Sequence, residues 1–299
     1  MNSPSTAPTT PVTAATSPPK NLLARLTLWD WLILACLAGL FAPLFLNLYE
    51  LWTLPDQPQS YGLLVLPASL LLAWMLRSRL QGVTPRASAW GLAAVVPGLG
   101  LLLIGTLAAA RTVSTLGFIA VVTGVVWTRY GGDVTRRLWF PLAFLLALVP
   151  FPTEILNLMT FPLQRLSIQW AALLLKPFGD VTVEGTQLHL GSYTLNVIAP
   201  CSGLTIVLPL LVLAIYYLYI IDGPFWKKAF LTALTFPVAM IVNAVRVALI
   251  GVVGEAMGAS VAAAFHDYSG LITVVLGFAV LILIAKEMRC HQLSDEIVF

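Results

Sequence analysis

Eight stretches without a single Asp, Glu, Lys or Arg, at 31–49, 57–76, 87–110, 112–128, 138–153, 185–221, 229–245 and 268–285, decide what this chain can become. A helix that crosses a bilayer needs about 20 predominantly apolar residues, because in hydrocarbon every backbone polar group must find its partner inside the segment. With 59% hydrophobic and only 10% charged residues, against roughly 25% charged in a soluble domain, no water-soluble globule fits. The fold class expected is an all-α polytopic membrane protein with about eight transmembrane helices, at 29–49, 61–78, 88–108, 112–129, 136–151, 201–221, 228–252 and 265–285. The formal charge of +3 is small and its basic residues are scattered between spans, which excludes nucleic acid as a partner. No internal repeat suggests a transporter built from two halves.

Basic residues set the orientation. With a cytoplasmic N-terminus, the cytoplasmic segments carry Lys20, Arg25, Arg77, Arg79, Arg86, Arg129, Arg136, Arg137, Lys227, Lys228, Lys286 and Arg289, and the outer segments only Arg111, Arg165 and Lys176. Both termini are therefore expected in the cytoplasm. Residues 1–27, rich in Pro, Thr, Ser and Ala, read as a disordered tail, 28–290 as one polytopic domain, and 291–299 as a second tail. The first apolar stretch, Leu28–Tyr49, is too long for a signal-peptide core and has no small-residue cleavage pattern after it, so it reads as a retained span.

Residues 152–200 form an outer cap between the fifth and sixth spans. Ile155–Lys176 mixes apolar residues with Asn157, Gln164, Arg165, Ser167 and Gln169 and contains Pro162, the pattern of a broken helix lying in the interface. Val181–Val197 alternates apolar and polar residues around Glu184-Gly185 and Gly191-Ser192, which predicts two or three short strands.

The three cysteines form no disulfide framework, and no Cys/His spacing suits a metal, so neither metal nor cofactor is expected. Under this topology Cys201, Arg246 and His266 come to the same outer face. Cys201 opens the sixth span within Pro200-Cys201-Ser202-Gly203-Leu204, where a helix N-terminus stabilises a thiolate. Arg246, in Asn243-Ala244-Val245-Arg246, lies in the outer part of the seventh span, where a charge is costly and usually functional. His266 begins the eighth span beside Asp267, and imidazole can take and return a proton near neutral pH. Together they supply a thiol, a base and an oxyanion partner. Each also has a plainer reading: Cys201 as a small apolar side chain, Arg246 as a snorkelling cation or a partner of Glu255, His266 as an interfacial residue. The chain has no HExxH, GxSxG or Walker lysine motif and no pair of intramembrane aspartates.

Pro200-Cys201-Ser202-Gly203-Leu204, Asn243-Ala244-Val245-Arg246 and His266 with Gly270 resemble, in that order, the three signatures of the exosortase/archaeosortase family. Val149-Pro150-Phe151-Pro152 and Val183–Leu190 resemble the segment that precedes the family's cysteine. The resemblance implies a membrane-embedded cysteine protease/transpeptidase for exported proteins whose C-terminal sorting signal is a Pro-Glu-Pro type motif, a transmembrane helix and a basic cluster. In that picture Cys201 forms a thioester, Arg246 stabilises the oxyanion or holds the acyl group, and His266 handles the proton, with Ser202, Gly203, Asn243 and Asp267 binding substrate or supporting these groups. Histidine in the third signature is similar to bacterial exosortases and implies an inner membrane, a periplasm-facing site and a bacterium that makes exopolysaccharide. The implied partners are the sorting-signal peptide with its helix, membrane lipid, and an unknown envelope or extracellular acceptor. The alternative from a different class is a non-enzymatic carrier or assembly factor for lipid-linked envelope polymers, which would tolerate loss of Cys201.

Overall fold

The computed structural model describes residues 27–54, 57–80, 82–197, 199–290 and 292–294. Both expected tails lie outside the described residues, apart from Thr27 and 292–294. In chain order the helices are α1 (Leu28–Thr53), α2 (Gly62–Met75), α3 (Leu92–Leu107), α4 (Arg111–Tyr130), the short α5 (Gly132–Arg137) and α6 (Trp139–Phe144), α7 (Thr153–Leu175), α8 (Leu204–Ile220), α9 (Phe225–Met257) and α10 (Ala259–Glu287). Contacts group the chain into two units that meet within α1, residues 1–40 and 41–299.

Among the described residues, six helical segments are long and apolar enough to cross a membrane, and a seventh counts if the bent pair Trp139–Leu148 and Thr153–Leu175 is one span. This makes the chain a multi-pass membrane protein, with a count just below the expected eight. The shortfall has a geometric cause. The fifth expected span is helical only over Trp139–Leu148 before the chain turns by 80° into α7, and α8, at 17 residues, sits at the lower edge of what a bilayer needs.

Outside the first unit, three contacts define two ends of the bundle. Thr112 Oγ1 donates to the Pro150 carbonyl at 2.7 Å and the Phe151 amide to Gln59 Oε1 at 3.1 Å, which places the starts of α2 and α4 with the Pro150 turn. Arg79 Nη1 donates to Tyr219 Oη at 3.2 Å, which marks the other end. Close packing of α3 on α4 depends on glycine: a Cβ at Gly117 would meet the Gly98 carbonyl at 2.7 Å, and one at Gly98 would meet Val121 at 2.9 Å. Such small-residue contacts let helix backbones approach where lipid gives no hydrophobic drive to associate.

Pro162 does not break α7, which runs unbroken from Thr153 to Leu175. One face, Gln164, Ser167, Ile168, Ala171, Ala172 and Leu175, is buried, so α7 is part of the packed core and not only an interfacial segment. Its apolar residues join Leu188, Leu190, Val197, Cys201 and Val247 in one cluster.

The cap strands form as the alternation predicts. β1 (Val181–Glu184), β2 (Gln187–Leu190) and β3 (Tyr193–Asn196) make an antiparallel sheet in sequence order. Glu184 pairs with Gln187 and Leu190 with Tyr193, so each connection is a two-residue loop. Gly185 (φ 61°) and Gly191 (φ 56°) supply the left-handed backbone those tight turns require. Glu255, near the end of α9, ties the second loop down. Its carboxylate accepts from the Tyr193 amide at 2.8 Å, the Ser192 amide at 3.3 Å and Ser192 Oγ at 3.2 Å. Glu255 is thus part of a helix that extends beyond the expected span and clasps the sheet.

At the opposite end, two lysines in the first turn of α9 close the ends of α8 and α10. Lys227 Nζ donates to the Met288 carbonyl at 2.7 Å and Lys228 Nζ to the Ile221 carbonyl at 2.6 Å, satisfying carbonyls that helix ends leave open.

Candidate active site

Cys201 does not stand in the first turn of a helix. It belongs to a 3-10 turn, Ala199–Ser202, and α8 begins three residues later at Leu204. Gly203 makes the joint, at φ 92° and ψ −12°; its carbonyl accepts from the Val207 amide at 2.8 Å. The Leu204 amide at the new helix start donates to Ser202 Oγ at 3.3 Å. Ser202 is fully buried, so its hydroxyl serves the turn from inside.

A polar clamp from two other helices holds this turn. Asn243 Nδ2, on α9, donates to the Cys201 carbonyl at 3.0 Å and to Ser167 Oγ at 2.9 Å. Ser167, on α7, donates onward to the Ser202 carbonyl at 3.1 Å. One turn earlier Gln164 Nε2 donates to the Val197 carbonyl, and the Val197 amide donates to the Thr186 carbonyl at 2.9 Å. Ser167 and Asn243 are 0% exposed, and hydrogen bonds in such dry surroundings cost most when one partner is lost. Asn243 Oδ1 has no hydrogen-bond partner among the described residues.

The thiol meets the imidazole. His266 Nε2 lies 3.1 Å from Cys201 Sγ, and His266 Nδ1 lies 3.4 Å from Asp267 Oδ1. Cys201 is 3% exposed; the His266 side chain is 13% exposed and that of Asp267 73%. Neighbours one residue apart on a helix point in different directions, so Asp267 offers a long, solvent-facing contact that orients His266 only loosely. α10 starts at Ala259, which puts His266 two turns inside the helix and not at its beginning.

Arg246 supplies the firmer anchor. Its Nε donates to Ser269 Oγ at 2.9 Å and its Nη2 to the His266 carbonyl at 3.0 Å, while Ser269 Oγ donates to the same carbonyl at 3.0 Å. These bonds form a closed three-membered network on the α10 turn that carries the imidazole. Arg246 is 5% exposed, and a buried charge is tolerable only when its donors are satisfied. Gly270 stands against it; a Cβ there would lie 3.6 Å from Nη2. α9 continues to Met257, about 16 Å beyond Arg246 at about 1.5 Å per residue. The arginine is therefore held in the protein interior and does not snorkel from a helix end.

The structure thus brings Cys201 and His266 into hydrogen-bond contact and links Arg246 and Asn243 to the two backbone turns that carry them. Sequence reasoning missed the roles of Ser167, Gln164 and Ser269. Their signal was present, since Gln164 and Ser167 are polar residues three apart on one face of an otherwise apolar helix, and Ser269 follows His266 by the same spacing. The other cysteines have no such company: Cys36 is exposed, and buried Cys290 donates to the Asp222 carbonyl at 3.2 Å. Among the described residues no cluster of three or more His, Cys, Asp or Glu is placed to hold a metal ion.

A thiol hydrogen-bonded to an imidazole is the pairing that yields a thiolate nucleophile and a proton carrier. Here that pairing stands at one end of the helical bundle of a multi-pass membrane protein. The sequence profile of the transmembrane exosortases matches residues 52–284, so the chain belongs to that family. Membership carries the family's general activity, transpeptidase-type protein sorting in a membrane. No curated protein and no solved structure gave a match.

Proposed function

We propose that this protein is a cysteine transpeptidase that cleaves Pro-Glu-Pro type C-terminal sorting signals and transfers the exported protein to an envelope or extracellular acceptor. The observation that carries the reading is the 3.1 Å contact of Cys201 Sγ with His266 Nε2. His266 takes the thiol proton, and the thiolate attacks the carbonyl carbon of the scissile peptide bond. As the tetrahedral intermediate collapses, the C–N bond breaks, and the departing amine takes the proton from His266. The acyl group stays on Cys201 as a thioester. An acceptor nucleophile then gives its proton to His266 and attacks the thioester, and the proton returns to the released sulfur. Arg246 holds the His266 turn and adds positive charge where the oxyanion develops. Asn243, with Ser167, fixes the Cys201 turn. Ser202 and Gly203 shape that turn, and Asp267 biases the imidazole towards presenting Nε2 to the thiol.

The sidedness proposed is an inner membrane with both termini cytoplasmic and Cys201 facing the periplasm. Its support is that Arg77, Arg79, Arg136, Arg137, Lys227, Lys228 and Lys286 lie in the segments at the end opposite Cys201. A substrate helix anchored by its own cytoplasmic basic cluster would then emerge with its motif at the thiol.

The test is co-expression with a reporter ending in a Pro-Glu-Pro type signal. The native chain and Cys36→Ala should process it, and Cys201→Ala should not, at equal membrane levels. Processing by Cys201→Ala would refute the nucleophile, and no processing even by the native chain would favour the non-enzymatic carrier.

A further inference from the structure

The end of the bundle marked by Tyr219 holds a second feature that the Cys201 chemistry leaves unused. An open cavity of about 560 Å³ is lined by Arg79, Asp133, Arg136, Arg137 and Trp139. It does not belong to the thiol site: α8 separates Tyr219 from the Cys201 turn by its 17 residues, about 25 Å of helix. Three guanidiniums and one carboxylate leave the cavity with a formal excess of two positive charges. Like charges gathered around one cavity repel each other unless an anion sits among them.

Two of the three arginines are held in place. Arg79 Nη1 donates to Tyr219 Oη at 3.2 Å, and Arg137 Nη1 donates to the Arg79 carbonyl. Tyr219 is itself fixed by stacking on Phe140, with ring centroids 3.5 Å apart and planes 2° from parallel. Arg136 and Arg137 are exposed and line the cavity. Planar forks of donors suit the oxygens of phosphate better than a point charge does. Trp139 is 56% exposed and starts the apolar segment, the position where indole rings settle at headgroup depth.

We infer that this pocket binds a phosphate-bearing anion, with Arg79, Arg136 and Arg137 as its ligands and Trp139 as its apolar wall. The same chemistry serves a phospholipid headgroup or a free phosphate; Asp133 repels an anion, and the three arginines outweigh it by two formal charges. The experiment is native mass spectrometry of the full chain in neutral detergent, titrated with short-chain phosphatidic acid, short-chain phosphatidylcholine or inorganic phosphate. Phosphatidic acid should bind at least about tenfold more tightly than phosphatidylcholine, and the double variant Arg136→Gln, Arg137→Gln should lose about that factor. The double variant Lys286→Gln, Arg289→Gln, an equal loss of two charges outside the cavity, should leave binding unchanged. Competition by millimolar inorganic phosphate would assign the ligand to free phosphate, and its failure to compete would assign it to a lipid. Equal binding by the native chain and the Arg136→Gln, Arg137→Gln variant, or an equal loss in the Lys286→Gln, Arg289→Gln control, would overturn the inference. Both arginines of the double variant are exposed, and its melting temperature without ligand checks that it is folded.

Discussion

Gly203→Ala strains the joint between the Cys201 turn and α8. At φ 92° the backbone is left-handed, which costs a residue with a Cβ about 1–2 kcal/mol. The added carbon would stand 3.1 Å from Asn243 Nδ2 and 3.2 Å from Met240 Sδ, where non-bonded atoms settle at about 3.5–4.0 Å. Both neighbours are 0% exposed, so neither can yield into solvent, and overpacking of this kind costs about 1–3 kcal/mol. The two effects sum to about 2–5 kcal/mol. Asn243 is the neighbour that must move, and its Nδ2 holds the Cys201 carbonyl at 3.0 Å. A shift of about 1 Å at a reacting atom costs about 10²-fold in rate, and the few tenths of an ångström required here scale to roughly 3- to 10-fold. The control is Gly100→Ala, where the new carbon meets nothing within 4 Å and alanine favours the helix by about 1 kcal/mol. Both variants would be compared for thermal unfolding in one detergent and for the initial rate of reporter processing. Gly203→Ala should melt lower and process roughly 3- to 10-fold more slowly than Gly100→Ala. Equal behaviour on both readouts would refute the claim that this glycine sets the position of Cys201.

Arg246→Lys keeps the charge but cannot reproduce the fork to Ser269 Oγ and the His266 carbonyl, so processing should fall about 10- to 100-fold with normal membrane levels; a loss under about twofold would show that charge alone suffices. Glu255→Ala removes the acceptor of the Tyr193 and Ser192 amides, and deuterium exchange over 191–196 should quicken by roughly tenfold while α8 is unaffected. Unchanged exchange there would mean that the sheet is held by its packing on α9 and not by the clasp.

How much of this was legible in the sequence depended on the range of the interactions involved. The charge-free windows located the helices, because desolvation of backbone and charge acts residue by residue. The cap sheet was legible because Gly185 and Gly191 mark two-residue loops between alternating segments. Helix ends were not. α9 runs past Gly251 to Met257 since Glu255 finds partners on the sheet, and no local signal reveals a partner some sixty residues away. Likewise, the unbroken α7 overrides the expectation placed on Pro162, because its buried face packs against the Cys201 turn and α9. Cys201, Arg246 and His266 could be named from their residue types and family motifs. Ser167 and Ser269 left only the mark of a three-residue spacing from Gln164 and His266, and their roles become legible once the folded chain brings them to Asn243 and Arg246.

The central claim is that Cys201 carries an acyl group during turnover. The native chain and His266→Ala would each be incubated with a sorting-signal peptide, quenched in acid, digested and weighed. The account predicts that the Cys201 peptide gains the mass of the substrate's N-terminal acyl portion in the native chain, that hydroxylamine removes it, and that the gain is far smaller in His266→Ala. Cleaved product with an unmodified Cys201, or an adduct on another residue, would contradict it.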